Sequence, residues 1–147
     1  DIISNLTERY SERVEEPSPI GVLMGGLENL VDGSAMVYYV HGVGYGEQIS
    51  FRCSGHGAQY AYSLAKFLCG PTICRDLTTE EIAKRIAYVI TWVSDDVDST
   101  VGGSPSVAIM KDKEQGVNYL RDDDLREIKE QVRHHKKSLP KIFGFCT

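Results

Sequence analysis

What this chain lacks narrows its class first. Across 147 residues no run approaches the 18 or so consecutive apolar residues of a membrane span. The Asp1 end does not open with the pattern of a secretion signal, so a cytoplasmic setting is expected. Positive charge is scarce: 16 Lys and Arg stand against 21 Asp and Glu, for a net charge of -5. A general nucleic-acid or membrane-surface binder needs a strong positive field over one face, so neither partner is expected. Cysteine is sparse too, with four residues, Cys53, Cys69, Cys74 and Cys146. A cytosolic chain that can bury its own core has little use for disulfides, and these are expected to be free thiols. Cys69 and Cys74 span CGPTIC without a second close pair, which argues against a zinc centre. No metal or cofactor is expected. Repeats, linkers and low-complexity segments are absent, and the length fits a single domain over residues 1–147.

What is present alternates between two periods. Ile3, Leu6, Tyr10 and Val14 recur at helical spacing before the Pro17-Ser18-Pro19 break. Apolar runs over Ile20–Leu27 and Ala35–Val40, with Asp32-Gly33 between them, predict a hairpin, and a third strand is expected over Gln48–Cys53. Ala58, Ala61, Tyr62, Leu64, Ala65 and Leu68 suit a short helix of small residues, capped by Gly70 and stopped by Pro71. LTTEEIAKRIAYVITWVSDDV carries the strongest helix signal. Thr78 and Glu81 form a capping box there, Leu77 and Ile82 a hydrophobic staple, and Ile82, Ile86, Val89 and Val93 an apolar stripe. Strands are predicted over Ser106–Met110 and Val117–Leu120, and a last helix over Asp122–Lys137. Its acidic start and basic Arg133–Lys137 end match the helix dipole. Strands and helices come in blocks, which indicates an α+β fold with layered packing.

Several patterns that look like chemistry have plainer readings. Gly42, Gly44 and Gly46 in HGVGYGE lead into a strand and not a helix, so they form a turn and not a phosphate loop. Asp95, Asp96 and Asp98 lack the glycine and later glutamate of an EF-hand. His134 and His135 are adjacent and diverge by about 100° on a helix, which does not suit a shared metal. His41, between a strand and a glycine turn, is expected to be structural or solvent-facing. Tyr38, Tyr39, Tyr60, Tyr62, Tyr88 and Trp92 have no interleaved Lys or Arg and are expected to be core aromatics. Asn5-Leu6-Thr7 matches a glycosylation acceptor but is discounted in a chain without a secretion signal.

Four stretches, taken in order, carry a family resemblance. They are SPIGVLMGGLE, AMVYYVHGVGYGE, CSGHGAQYAYSLAKFL, and LTTEEIAKRIAYVI followed by DSTVGGSPSVAIMKDKEQGVNYL. Their order and spacing from Ile20 to Phe143 resemble the later part of a β-like proteasome-type subunit, in the N-terminal-nucleophile hydrolase family. The resemblance implies an αββα sandwich, two β-sheets between helix layers, incomplete here at its N-terminal side. SPIGVLMGGLE is similar to that family's central strand. In active members an N-terminal threonine attacks the peptide carbonyl with its own amine as base, while a serine and an aspartate orient that amine. By this resemblance the serine position holds His56, the aspartate is Asp98, a second serine position holds Val101, and Gly55, Gly57, Gly102 and Gly103 keep the backbone shape. Asp1 is not a nucleophile, and the family's first strands, which carry the threonine, its lysine and the oxyanion-hole glycine, have no counterpart.

The resemblance therefore implies a noncatalytic subunit or subunit fragment with an assembly role in a self-compartmentalised peptidase. Its partners would be other proteasome-like subunits or a complementary N-terminal segment. The alternative is an active threonine peptidase or amidohydrolase completed by a segment or partner that carries the nucleophile, with His56 as general base. A third reading is an unrelated α+β binding domain.

Overall fold

The computed structural model describes residues 21–27, 35–41, 45–70, 75–96, 101–110 and 116–142. The expected opening helix, Asn5, the Asp32-Gly33 turn, Cys74, Asp98 and Cys146 lie outside them. The described elements are mixed α and β, and the chain divides into two compact units. One unit is Asp1–Ser54 with Asp112–Glu114, and the other is Gly55–Lys111 with Gln115–Thr147. Among the described residues no helix is long and apolar enough to cross a membrane.

The first unit is built on an antiparallel sheet of β1 (Val22–Leu27), β2 (Ala35–Val40) and β3 (Gly46–Ile49), in the order β1-β2-β3. The expected hairpin is present, with Val22 opposite Val40 and Leu27 opposite Ala35. Between β2 and β3 the His41 N–H donates to the Tyr45 carbonyl at 2.9 Å, while Gly42 and Gly44 lie outside the described residues. The third strand departs from expectation: it begins at Gly46, opposite Val40, and its ladder ends at Ile49, opposite Val37. Phe51 and Cys53 remain half-buried while Ser50 and Arg52 are exposed. Alternating apolarity thus continues to Cys53 although the pairing does not, because alternation reports which side is covered and a ladder needs a neighbouring backbone.

The second unit holds α1 (Ala58–Leu68), α2 (Thr79–Asp96), β4 (Ala108–Met110), β5 (Val117–Tyr119) and α3 (Asp122–Ile142). β4 and β5 pair antiparallel, and the Leu120 N–H extends the ladder to the Val107 carbonyl at 3.0 Å. The core joins Ala83 and Ala87 of α2 to Val107, Ile109, Leu120 and Ile128, with Tyr88 and Leu125 packed against it. On the hairpin's other face Ala108, Met110, Val117 and Tyr119 are exposed.

The start of α2 follows the capping box. The Thr78 N–H donates to Glu81 Oε2 at 2.7 Å, and the Glu81 N–H donates to Thr78 Oγ1 at 3.2 Å. The Thr78 N–H foremost, and then the Thr78 hydroxyl, which donates to the same Oε2 at 2.8 Å, hold the Glu81 carboxyl below its usual range. The buried face differs in part from the expected stripe. Val89 and Val93 are buried, but Ile82 and Ile86 are only half-buried, and Ala83, Ala87 and Thr91 are the buried residues next to them. One residue on a helix is a rotation of about 100°, so the buried surface of α2 takes in the small-residue face of Ala83 and Ala87 as well as the Val89 and Val93 part of the expected stripe. Alanines there let α3 and the hairpin approach closely.

Two helix ends also differ from the reading. α1 is capped by Cys69, whose N–H donates to the Ala65 carbonyl at 2.7 Å. Gly70 contributes through its size: a Cβ there would stand 3.1 Å from the Lys66 carbonyl oxygen. α3 continues past Lys137 to Ile142, so the basic cluster sits within the helix and not at its end.

Candidate functional site

The residues singled out by the family resemblance form two turns in the second unit. The first is Gly55-His56-Gly57, at the mouth of α1. Gly55 has φ of +89° and Gly57 of +72°, both left-handed conformations that side chains disfavour. They let the chain reverse into the helix: the Ala58 N–H donates to the Gly55 carbonyl at 3.2 Å, and the Tyr60 and Ala61 N–H groups donate to that of Gly57 at 3.1 and 3.0 Å. No side chain caps this helix. His56 is exposed, and its imidazole makes no hydrogen bond or ion pair with any described residue.

The second turn is Val101-Gly102-Gly103. Gly103 has φ of +87°, whereas Gly102 has ordinary backbone and open space around it. Gly103 and Ser104 border a recess of about 300 Å³ between Ser94 and Asp95 at the end of α2 and Asp122 and Arg126 at the start of α3. Asp98 lies outside the described residues. Among those residues no hydrogen bond or ion pair joins His56 to this turn. The pair of turns therefore supplies a fixed backbone shape and one exposed imidazole, which no described nucleophile or orienting group meets by a hydrogen bond. No group of three or more His, Cys, Asp or Glu side chains among the described residues is placed to hold a metal ion.

A comparison with protein-family models and with curated proteins finds no match. Function must therefore be argued from geometry.

Four arrangements escaped sequence reasoning. In the first unit His41 stacks on Tyr45 with ring centroids 4.1 Å apart and meets the edge of Tyr39 at 4.6 Å. Its Nε2 lies 3.2 Å from Glu47 Oε1, and the Arg52 guanidinium sits 4.0 Å above the Tyr39 ring and 3.5 Å from that same carboxylate oxygen. The signal was present as Tyr39 and His41 at i and i+2, but the register that sets Glu47 opposite Tyr39 was not.

In the second unit Asp124, buried at the start of α3, receives Lys84 Nζ at 2.8 Å and Arg121 Nε at 2.9 Å. Arg121 and then Lys84 hold its carboxyl down at about 2. This tie fixes α2 to α3. Arg85 donates to the Leu68 carbonyl, linking α2 to the end of α1. Farther along α3, His135 Nδ1 lies 2.9 Å from the Tyr88 hydroxyl, whose pKa burial pushes up. Lys84 and Asp124 are 40 positions apart in sequence and Tyr88 and His135 are 47 apart, which no local pattern discloses.

The expectation that the aromatics are core fails for three of them, since Tyr38, Tyr60 and Tyr62 are exposed. Cations also come to rest near aromatic rings. Besides Arg52 on Tyr39, Lys66 lies 5.3 Å from the Tyr62 centroid and Lys136 lies 5.4 Å from that of Trp92.

Proposed function

We propose that this chain is a β-like proteasome-type subunit or subunit fragment with an assembly role in a cytoplasmic, self-compartmentalised peptidase. Its αββα sandwich is completed by strands from other subunits or from a companion segment, and it takes no part in the chemistry itself. The observation that supports this most is the apolar surface left on its small sheets. Leu23 and Met24 are adjacent, so they point to opposite faces of the first sheet, and each is 43% exposed. Tyr119 on the β4–β5 hairpin is 67% exposed, beside exposed Met110 and Val117. A layer of a sandwich shows such faces until neighbouring layers cover them, and monomeric proteins seldom leave them open.

The noncatalytic part rests on His56. A general base acts on a nucleophile within reach and is itself held by a third group. Among the described residues His56 has neither.

Sedimentation of the chain mixed with its candidate partners tests assembly, because a ring particle is far larger than 16.4 kDa. A chain that enters no such particle would support the unrelated α+β binding domain. In assembled particles His56→Ala should leave turnover of a short fluorogenic peptide nearly unchanged. A fall in kcat of about 10²-fold or more at constant KM would instead make His56 a proton-transfer group for a nucleophile on another segment.

A further inference from the structure

Between the end of α1 and the facing sides of α2 and α3 lies a recess of about 290 Å³, near the lower bound of small-ligand sites. Leu68 and Ile128 border it as apolar groups, Tyr88 as an aromatic one, and Arg85, Gln131 and His135 as polar ones. Arg85 has the most left to offer. It is half-buried and spends one N–H on the Leu68 carbonyl, but a guanidinium carries five N–H donors and a full charge. No described carboxylate forms an ion pair with it: Glu81, one turn earlier, accepts from Thr78, and Asp124 accepts from Lys84 and Arg121. Glu127 also borders the recess, but it is exposed and takes the Gln131 amide at 3.2 Å. Because two cations share Asp124, that group adds one positive charge in excess next to Arg85. A half-buried cation is costly until an opposite charge meets it.

We propose that this recess binds a small carboxylate whose apolar body is about the size of one aromatic ring. Two carboxylate oxygens match the planar fork of Arg85, in a bond stronger than one between neutral groups, and the body covers Leu68, Ile128 and Tyr88. His135 supplies a second donor. Its Nδ1 is engaged by the Tyr88 hydroxyl at 2.9 Å, and the tautomer in which Tyr88 donates puts the ring proton on Nε2, which has no described partner. A phosphate dianion fits less well, since a single guanidinium leaves its second charge against apolar walls. None of these residues belongs to the two glycine turns, so a chain that joins no larger particle would hold the same site.

The plainer alternative is that Arg85 only closes the end of α1, where a cation suits the negative pole of the helix. Binding separates the two. Fluorine NMR of the whole chain with para-fluorobenzoate at millimolar concentration is the test, and neutral para-fluorobenzamide is the matched probe. Wild type should bind the carboxylate about tenfold or more tightly than the amide, as one charge-assisted bond predicts. Arg85→Gln keeps an amide donor for the Leu68 carbonyl but loses the charge and the fork. It should weaken the carboxylate about tenfold or more and leave the amide nearly unchanged, with circular dichroism as the check on folding. Arg133→Gln, at an exposed position of α3 outside the recess, should bind as wild type does. In wild type the carboxylate should move the amide-proton shifts most around Arg85, Tyr88 and His135, which decides the matter even where Arg85→Gln fails to fold. Carboxylate binding that is absent or no tighter than the amide's, an affinity indifferent to Arg85→Gln, an equal loss in Arg133→Gln, or shifts centred elsewhere would each overturn the proposal.

Discussion

Truncating Ile128 and Ile86 to alanine, one at a time, measures which face of α2 is turned to the core. Ile128 is 4% exposed and belongs to the cluster that holds Ala83 and Ala87. Its change to Ala removes three carbons, worth about 2.4 kcal/mol at about 0.8 kcal/mol per buried methylene. A cavity term adds to this, because the facing alanines have no longer side chains to swing into the gap, so Ile128→Ala should cost about 3 to 5 kcal/mol. Ile86 is half-buried and leaves an open notch, so its truncation should cost about 1 kcal/mol. Both substitutions gain the same few tenths of helix propensity, which cancels in the comparison. The assay is equilibrium unfolding in guanidinium chloride at one fixed chain concentration, followed by far-UV circular dichroism and by the single tryptophan, Trp92, which lies in α2. If Ile86→Ala costs as much as Ile128→Ala, the buried face is the isoleucine stripe after all and the packing described above is wrong by one residue.

Two further outcomes are expected. Asp124, whose pKa falls from 3.8 to about 2, contributes stability that is complete above about pH 4 and is lost as pH falls through about 2. Wild type should therefore lose more Tm than Asp124→Asn between pH 4 and 2, and parallel curves would show that the tie to Arg121 and Lys84 does not matter. Gly103, at φ of +87°, should lose about 1 kcal/mol or more on change to Ala, while Gly102→Ala should stay within about 0.5 kcal/mol. Equal losses at the two positions would refute the assignment of backbone strain to Gly103 alone.

Features that depend on neighbours in sequence were legible. The Thr78–Glu81 box, the hairpin of β1 and β2 and the glycine turn before α1 all follow from side chains or backbone conformations within a few residues of one another. The direction α2 faces was not legible in the same way. Isoleucine outweighs alanine on any hydropathy measure, yet Ala83 and Ala87 are buried more fully than Ile82 and Ile86, because close packing rewards small volume as well as apolarity. Charged ties such as Lys84 to Asp124 were invisible, since each residue alone reads as a solvated surface charge. The candidate site was legible only in part. The turn glycines adopt special backbone at three of four positions, but the partner that would make His56 chemically meaningful is not among the described residues.

β1 shows how a conflict between sequence and structure carries information. Its six residues include no charge and no alternation, the pattern of a strand covered on both faces and flanked on both sides. The structure sets that strand at the edge of a three-stranded sheet, with Leu23 and Met24 each 43% exposed on opposite faces. A strand at an ordinary edge tolerates polar residues on its solvent face and resists pairing by means of charge. VLMGGL uses neither device. The sequence of β1 is thus that of an interior strand, set at the edge of the sheet that the described residues form.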